Sequence, residues 1–79
     1  MSLRIDGLTI HIVGNSPVED AELLLSALQR IPDATIDLSR ATRLHSASVQ
    51  LLRVLAPPTV GSPSDPFQAT FVFPAVLNQ

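Results

Sequence analysis

The chain has 79 residues, no cysteine and a formal net charge of −2. Its length fits one small domain, and without thiols neither a disulfide nor a cysteine-ligated metal can stabilise it. The mildly acidic balance argues against nucleic acid binding. No apolar run approaches the about 20 residues that span a bilayer, and no basic segment precedes an apolar one as in a signal peptide. We therefore expect a cytoplasmic domain.

The first third of the chain predicts a β-hairpin and then an amphipathic helix. Asp6-Gly7 lies between two alternating apolar and polar runs, and this dipeptide is typical of a two-residue type I′ turn. Ser16 is the predicted N-cap of the helix, with Pro17 at its first position and Glu19 completing a capping box. Apolar residues then recur every three or four positions, as on the buried face of a helix. This predicted stripe consists of Ala21, Leu24, Leu25, Leu28 and Ile31.

The rest of the chain predicts two further strands and one more helix. A buried strand covers residues 34–38, a polar junction at 43–46 leads out of it, and a helix follows over about 46–56. Residues 60–66, rich in Gly, Ser and Pro, are typical of a mobile loop, which precedes a last strand at 67–73. The order β-β-α-β-α-β predicts an α/β fold with a four-stranded mixed sheet and two helices on one face.

The start of the second helix carries the best functional candidate, Ser46. A hydroxyl at this position lies near unpaired backbone amides and the positive end of the helix dipole, so it can cap the helix or hold a phosphate. Gln50 and Arg53 follow at i+4 and i+7 and share a polar stripe with Ser46. This stripe is either a partner-facing surface or a solvated face.

Two segments around this junction resemble the STAS domain, the fold of anti-sigma factor antagonists and of the cytoplasmic tails of sulfate transporters. Residues 36–39, Ile-Asp-Leu-Ser, match the family's strand end, and residues 45–49 fall on its Asp-Ser-x-Gly-Leu pattern at a helix start. Ser46 therefore matches the serine that is phosphorylated in many members. The chain departs from the pattern at two positions, with His45 in place of the aspartate and Ser48 in place of the glycine.

The resemblance implies a non-enzymatic domain that binds another protein and needs no cofactor. One version is a signalling antagonist that binds an anti-sigma factor of the serine kinase type and is released when Ser46 is phosphorylated, with Arg40 and Arg43 available to pair with the phosphate. Because residues 36–40 are also similar to the STAS subunit of the bacterial lipid-asymmetry ABC transporter, docking on a transporter ATPase is the alternative. The predicted partner surface consists of Asn15, Ser16, His45, Ser46, Gln50 and Arg53.

The resemblance extends over roughly residues 8–74. STAS domains usually continue through further helices and another strand, so it implies a shortened variant of the fold. We expect such a variant to leave a sheet edge or a helix face open, which makes a homodimer plausible.

A small hydrolase is the alternative from a different functional class. It would need a cleft lined by His45, Ser46 and Asp37, whereas the sequence has no Gly-x-Ser-x-Gly elbow. The two histidines, His11 and His45, give no recognisable metal-ligand spacing in a chain without cysteine. We therefore expect neither catalysis nor a bound metal.

Overall fold

The computed structural model describes residues 2–65 and Gln68. The elements of this part are β1 (Leu3–Asp6), β2 (Thr9–Ile12), β3 (Gly14–Ser16), α1 (Glu19–Arg30), β4 (Thr35–Asp37), β5 (Ala41–Leu44), α2 (Ser46–Leu55) and β6 (Thr59–Val60). The main sheet has the order β1-β2-β4-β6, in which β1 is antiparallel to β2 and the other pairs are parallel. Both helices cover one face of this sheet, which confirms the predicted α/β fold.

The covered face of the main sheet is apolar. Ile10 and Ile12 of β2 and Ile36 of β4 are fully buried on it, because alternate residues of a strand point to the same side. Leu24 of α1 and Leu52 of α2 pack onto these isoleucines and are fully buried as well. This single core joins the sheet to both helices. The apolar periodicity of α1 predicted which of its sides faces the core, where Leu24, Leu28 and Ile31 pack.

The hairpin turn lies one residue later than predicted. Asp6 pairs with Thr9, so the two loop residues are Gly7 and Leu8 rather than Asp6 and Gly7. A type I′ turn needs a positive φ at both loop residues, and only Gly7 has one, at 59°. Leucine tolerates that conformation poorly, and the observed register places Leu3 opposite the buried Ile12 while Leu8 remains exposed.

A second, two-stranded sheet was not predicted. β3 and β5 pair in parallel, with Gly14 beside Ala41 and Ser16 beside Leu44. The Gly14 N–H donates to the carbonyl of Arg40 at 2.9 Å, at the entrance to this pair. Half of the segment that was interpreted as a polar junction, residues 43 and 44, therefore belongs to strand β5, which holds the chain before α1 next to the start of α2.

The capping box predicted at Ser16 is not formed. The helix α1 begins at Glu19, and Val18 occupies the N-cap without a side-chain hydrogen bond. Ser16 belongs to β3, where its carbonyl accepts a hydrogen bond from the N–H of His45 at 2.9 Å. Its hydroxyl donates to Oδ2 of Asp20 at 3.0 Å, and both side chains are buried. Strand pairing places Ser16 too far before the helix for it to cap the first turn.

The region after α2 contains a short strand that was not predicted and that includes Val60, the first residue of the predicted loop. Thr59–Val60 forms β6, and the N–H groups of Ile36 and Leu38 in and after β4 donate to the carbonyls of Pro58 and Val60 at 2.8 and 2.9 Å. Two residues are too few for a strand period to be recognised in a sequence. The strand predicted at 67–73 lies outside the described residues except for Gln68.

Among the described residues, the buried side chain of Ser48 in α2 has no hydrogen-bond partner. Its side chain is 1% exposed, and no described residue is within hydrogen-bonding distance of its Oγ. We expect Ser48→Ala to raise the free energy of unfolding by about 1–2 kcal/mol, since it removes an unsatisfied buried hydroxyl and improves helix propensity. Urea unfolding followed by far-UV circular dichroism measures this change.

The exposed Ser26 of α1 provides the control for Ser48→Ala. Ser26→Ala changes helix propensity alone, so it should raise the free energy of unfolding by about 0.5 kcal/mol at most. A Ser48→Ala protein that is less stable than the wild type would mean that the hydroxyl has a bonding partner in solution.

Candidate functional site

An open cleft of about 840 Å³ lies between the small sheet and the start of α2. Its walls come from the end of β3, the end of β5, the first turns of α2 and Gln68. Of the six residues predicted for the partner surface, all but Arg53 line this cleft. Arg53 is exposed and lies further along α2. The residues of the predicted surface that line the cleft are Asn15, Ser16, His45, Ser46 and Gln50.

Pairing of β3 with β5 brings the two halves of this site together. Asn15 lies beside Arg43 in the strand register, and Ser16 lies beside Leu44. The hydrogen bond from the His45 N–H to Ser16 then fixes the first residue before α2 against the end of β3. Segments about 30 residues apart in the sequence therefore form one surface.

The N-cap of α2 is His45, so of the two roles considered for the Ser46 hydroxyl, capping is filled by its neighbour. His45 has the extended backbone of a cap residue, and its Nδ1 accepts a hydrogen bond from the N–H of Ala47 at 3.1 Å. An accepting Nδ1 carries no proton, so the proton of the neutral ring is on Nε2. Ser46 is the first helical residue and is exposed. The cap is thus supplied by its neighbour, and the hydroxyl of Ser46 is available to solvent or to another molecule.

The mouth of the cleft is positively charged. Arg43 is exposed and lines the cleft, and the first turn of α2 has no acidic residue to offset the positive end of the helix dipole. Arg40 is exposed but does not line the cleft. Of the two arginines considered as partners for a phosphate on Ser46, only Arg43 therefore shares the cleft with it.

The floor of the cleft is apolar. Leu44 and Val49 line it and are 1% and 8% exposed, while the surrounding Asn15, Ser46 and Gln50 are exposed. An apolar floor within a polar rim is the usual anatomy of a protein-binding surface.

Gln68 forms part of the cleft wall, a role that the sequence did not indicate. Its Oε1 accepts from the N–H of Leu44 at 2.9 Å, and its Nε2 donates to the carbonyl of Leu44 at 2.7 Å. The backbone N–H of Gln68 donates to Oδ2 of Asp65 at 3.0 Å. One side-chain amide therefore pairs with β5 as a neighbouring strand would.

Asp37 lies away from the cleft, on the face of the main sheet opposite the helices. Its Oδ2 is 2.7 Å from Nδ1 of His11, and its Oδ1 accepts from the backbone N–H of Ser39 at 2.9 Å. Hydrogen bonding from Ser39, with a smaller contribution from His11, lowers the pKa of Asp37 from 3.8 to about 2. The structure therefore places Asp37 beside His11, and the cleft holds His45 and Ser46 without it.

Comparisons of this chain with protein-family models, with curated proteins and with solved structures find no match in any of the three. Within residues 2–65 and Gln68, neither helix is long and apolar enough to cross a bilayer. In the same residues no three His, Asp or Glu side chains come close enough together to hold a metal ion. The residues that line the cleft are therefore the main evidence about what this molecule binds.

Proposed function

We propose that this chain is a STAS-like, non-enzymatic interaction domain of the bacterial cytoplasm that binds another protein at the cleft. The partner is an anti-sigma factor of the serine kinase type, and the chain acts as its antagonist. The observation that carries the proposal is the position of Ser46, which is exposed at the first residue of α2, on the rim of the cleft, and not used as the helix cap. The sequence resemblance at residues 36–39 and 45–49 supports the same reading of this serine.

The partner inserts an apolar side chain over Leu44 and Val49 and places polar groups against the rim. Arg43 at the mouth of the cleft and Arg53 further along α2 meet acidic groups of the partner. Such contacts between charges steer association and set specificity more than they add affinity. An apolar floor with cationic neighbours thus fits a partner surface that combines an apolar anchor with acidic residues.

Phosphorylation of Ser46 releases the partner. A phosphate on the first residue of α2 adds nearly two negative charges at the positive end of the helix dipole, where backbone amides and Arg43 stabilise it. Arg43 is then no longer available to acidic groups of the partner, and the new charge repels them. The switch requires no movement of the fold, since the serine and the arginine already line one cleft.

We expect Arg43→Glu and Ser46→Asp each to weaken binding of the anti-sigma factor by about tenfold or more. The first reverses a charge at the mouth of the cleft, and the second imitates the phosphate. Arg30→Glu is the matched control, because Arg30 is an exposed arginine in the last turn of α1 and does not line the cleft. Isothermal titration with the purified anti-sigma factor of the same genome measures all four proteins.

The outcomes of this titration separate the candidate roles. Equal affinity for wild type, Arg43→Glu and Ser46→Asp would place the partner elsewhere and disprove the proposal. Loss of binding with Arg43→Glu alone would indicate a constitutive adaptor without a switch. A wild type that does not bind the anti-sigma factor but binds a transporter ATPase when this is titrated in its place would indicate the accessory-subunit role. Intact mass after incubation with the kinase shows whether Ser46 accepts a phosphate.

A further inference from the structure

We infer that the outer edge of β1 is a docking edge for a second copy of this chain. In the main sheet β1 is the first strand of the order, and no described residue pairs with its outer side. A free strand edge presents unpaired N–H and C=O groups, which readily pair with another strand. Antiparallel pairing of two β1 strands about a twofold axis joins the two four-stranded sheets into one.

The backbone groups of β1 that point outward can be assigned from its pairing with β2. The Val13 N–H donates to the carbonyl of Ser2 at 2.8 Å, so Ser2 points its backbone groups toward β2. Residues of an antiparallel strand alternate in this respect, and the register of β1 and β2 has no irregularity. Leu3 and Ile5 therefore direct their N–H and C=O groups to the outer edge of β1, which no described residue pairs with.

Only one twofold register of β1 with itself pairs opposite charges. With Ile5 opposite the Ile5 of the second copy, Arg4 lies opposite Asp6 on both sides of the axis. A register centred on Arg4 would place two arginines face to face, and one centred on Asp6 would place two carboxylates face to face. Opposite charges directly across two strands stabilise the pair, and like charges destabilise it. Arg4 and Asp6 are both exposed, so their charges are available for this contact.

The register centred on Ile5 also suits the backbone hydrogen bonds and brings apolar side chains together. It makes Ile5 and its counterpart a hydrogen-bonded pair, which uses the outward groups assigned above. The side chain of Ile5 lies on the core side, beside the buried Ile10, yet it is 45% exposed. Contact between the two Ile5 side chains extends the apolar core across the axis. An isologous contact of this kind closes as a dimer and does not propagate into a fibre.

A strand of four residues gives a small interface, so we expect a weak dimer with a dissociation constant on the order of 10–100 µM. Arg4→Glu and Asp6→Lys should each weaken it by about tenfold or more, because each places like charges opposite one another twice. The double variant restores opposite charges and should return to within about threefold of the wild type. Sedimentation equilibrium between about 5 and 500 µM measures the four proteins.

The charge swap makes the inference falsifiable without disturbing the fold, because both altered side chains are exposed. Far-UV circular dichroism confirms that each variant is folded. A wild type that stays monomeric at the highest concentration, a dimer that the single variants leave intact, or a double variant that fails to regain the dimer each overturns the inference. β1 contributes no residue to the cleft, so this result is independent of the partner titration.

Discussion

Replacing Gln68 with leucine is expected to lower the free energy of unfolding by about 2–5 kcal/mol. Leucine fills a similar volume but offers no hydrogen bond, so the N–H and the carbonyl of Leu44 would both lose the partner that the amide supplies at 2.9 and 2.7 Å. Each buried backbone group left without a partner costs about 1–3 kcal/mol. A domain of this size has a total stability of about 4–12 kcal/mol, so the loss is a large part of it.

The experiment is urea unfolding followed by far-UV circular dichroism, since the chain has no tryptophan or tyrosine to serve as a fluorescent probe. Gln50→Leu is the matched control, because Gln50 is exposed on α2 and its amide supports no buried group. It should change the free energy of unfolding by no more than about 0.5 kcal/mol. Gln68→Glu should also destabilise, since a carboxylate cannot donate to the carbonyl of Leu44.

Equal stability of Gln68→Leu and Gln50→Leu would contradict this account. It would mean that water replaces the amide at β5 without cost, and that the cleft wall does not depend on Gln68. If only Gln68→Leu and Gln68→Glu lower the free energy of unfolding, the side chain of Gln68, 24 residues along the chain from Leu44, is what satisfies the backbone groups at this edge of β5.

The sequence was sufficient for the elements that have a clear apolar period. Leu24 falls on the predicted stripe of α1 and is fully buried, and the alternation of Ile10 and Ile12 marks β2 as a strand with one buried face. These patterns repeat over several positions, so a mistake at one position does not change the assignment. The positions of β1, β2, β4 and both helices followed from such patterns, whereas β6 was not predicted.

The small sheet could not be predicted, because nothing local distinguishes it. Gly14–Ser16 and Ala41–Leu44 are three and four residues long and largely polar, and each is stable as a strand only because the other lies beside it. Ser16 shows the consequence most clearly. Its local sequence is that of a capping box, yet pairing with β5 takes its backbone into a strand and its hydroxyl to Asp20.

Five of the residues that line the cleft were named from the sequence for the partner surface, but the way the fold brings them together was not predicted. The resemblance singled out His45 and Ser46, and the polar residues Asn15 and Ser16 were expected near them. What brings them together is the pairing of β3 with β5, which the sequence did not reveal. His45 was regarded as a departure from the pattern that the chain resembles, and its ring nitrogen is the hydrogen-bond acceptor at the start of α2. A neutral imidazole can do this while leaving the cleft without a negative charge.

Gly61→Ala is expected to lower the free energy of unfolding by about 2–5 kcal/mol, through two separable effects. Gly61 has a φ of 74°, and a left-handed backbone costs a residue with a Cβ about 1–2 kcal/mol. The added Cβ would also lie 2.8 Å from the backbone nitrogen of Ser39 and 3.0 Å from its Cα. Shifting the backbone to relieve such a close contact typically lowers the free energy of unfolding by about 1–3 kcal/mol more.

Gly7→Ala separates these two effects. Gly7 has a similar φ of 59°, but no atom lies within 4 Å of the position a Cβ would take. It should therefore lose only the conformational part, about 1–2 kcal/mol, in the same urea unfolding experiment. Equal losses at the two glycines would show that Ser39 moves aside freely. A larger loss of stability at Gly61 would show that the chain after β6 is held against the end of β4, where the Leu38 N–H donates to the carbonyl of Val60 at 2.9 Å. The two-residue strand β6 would then be a fixed part of the sheet.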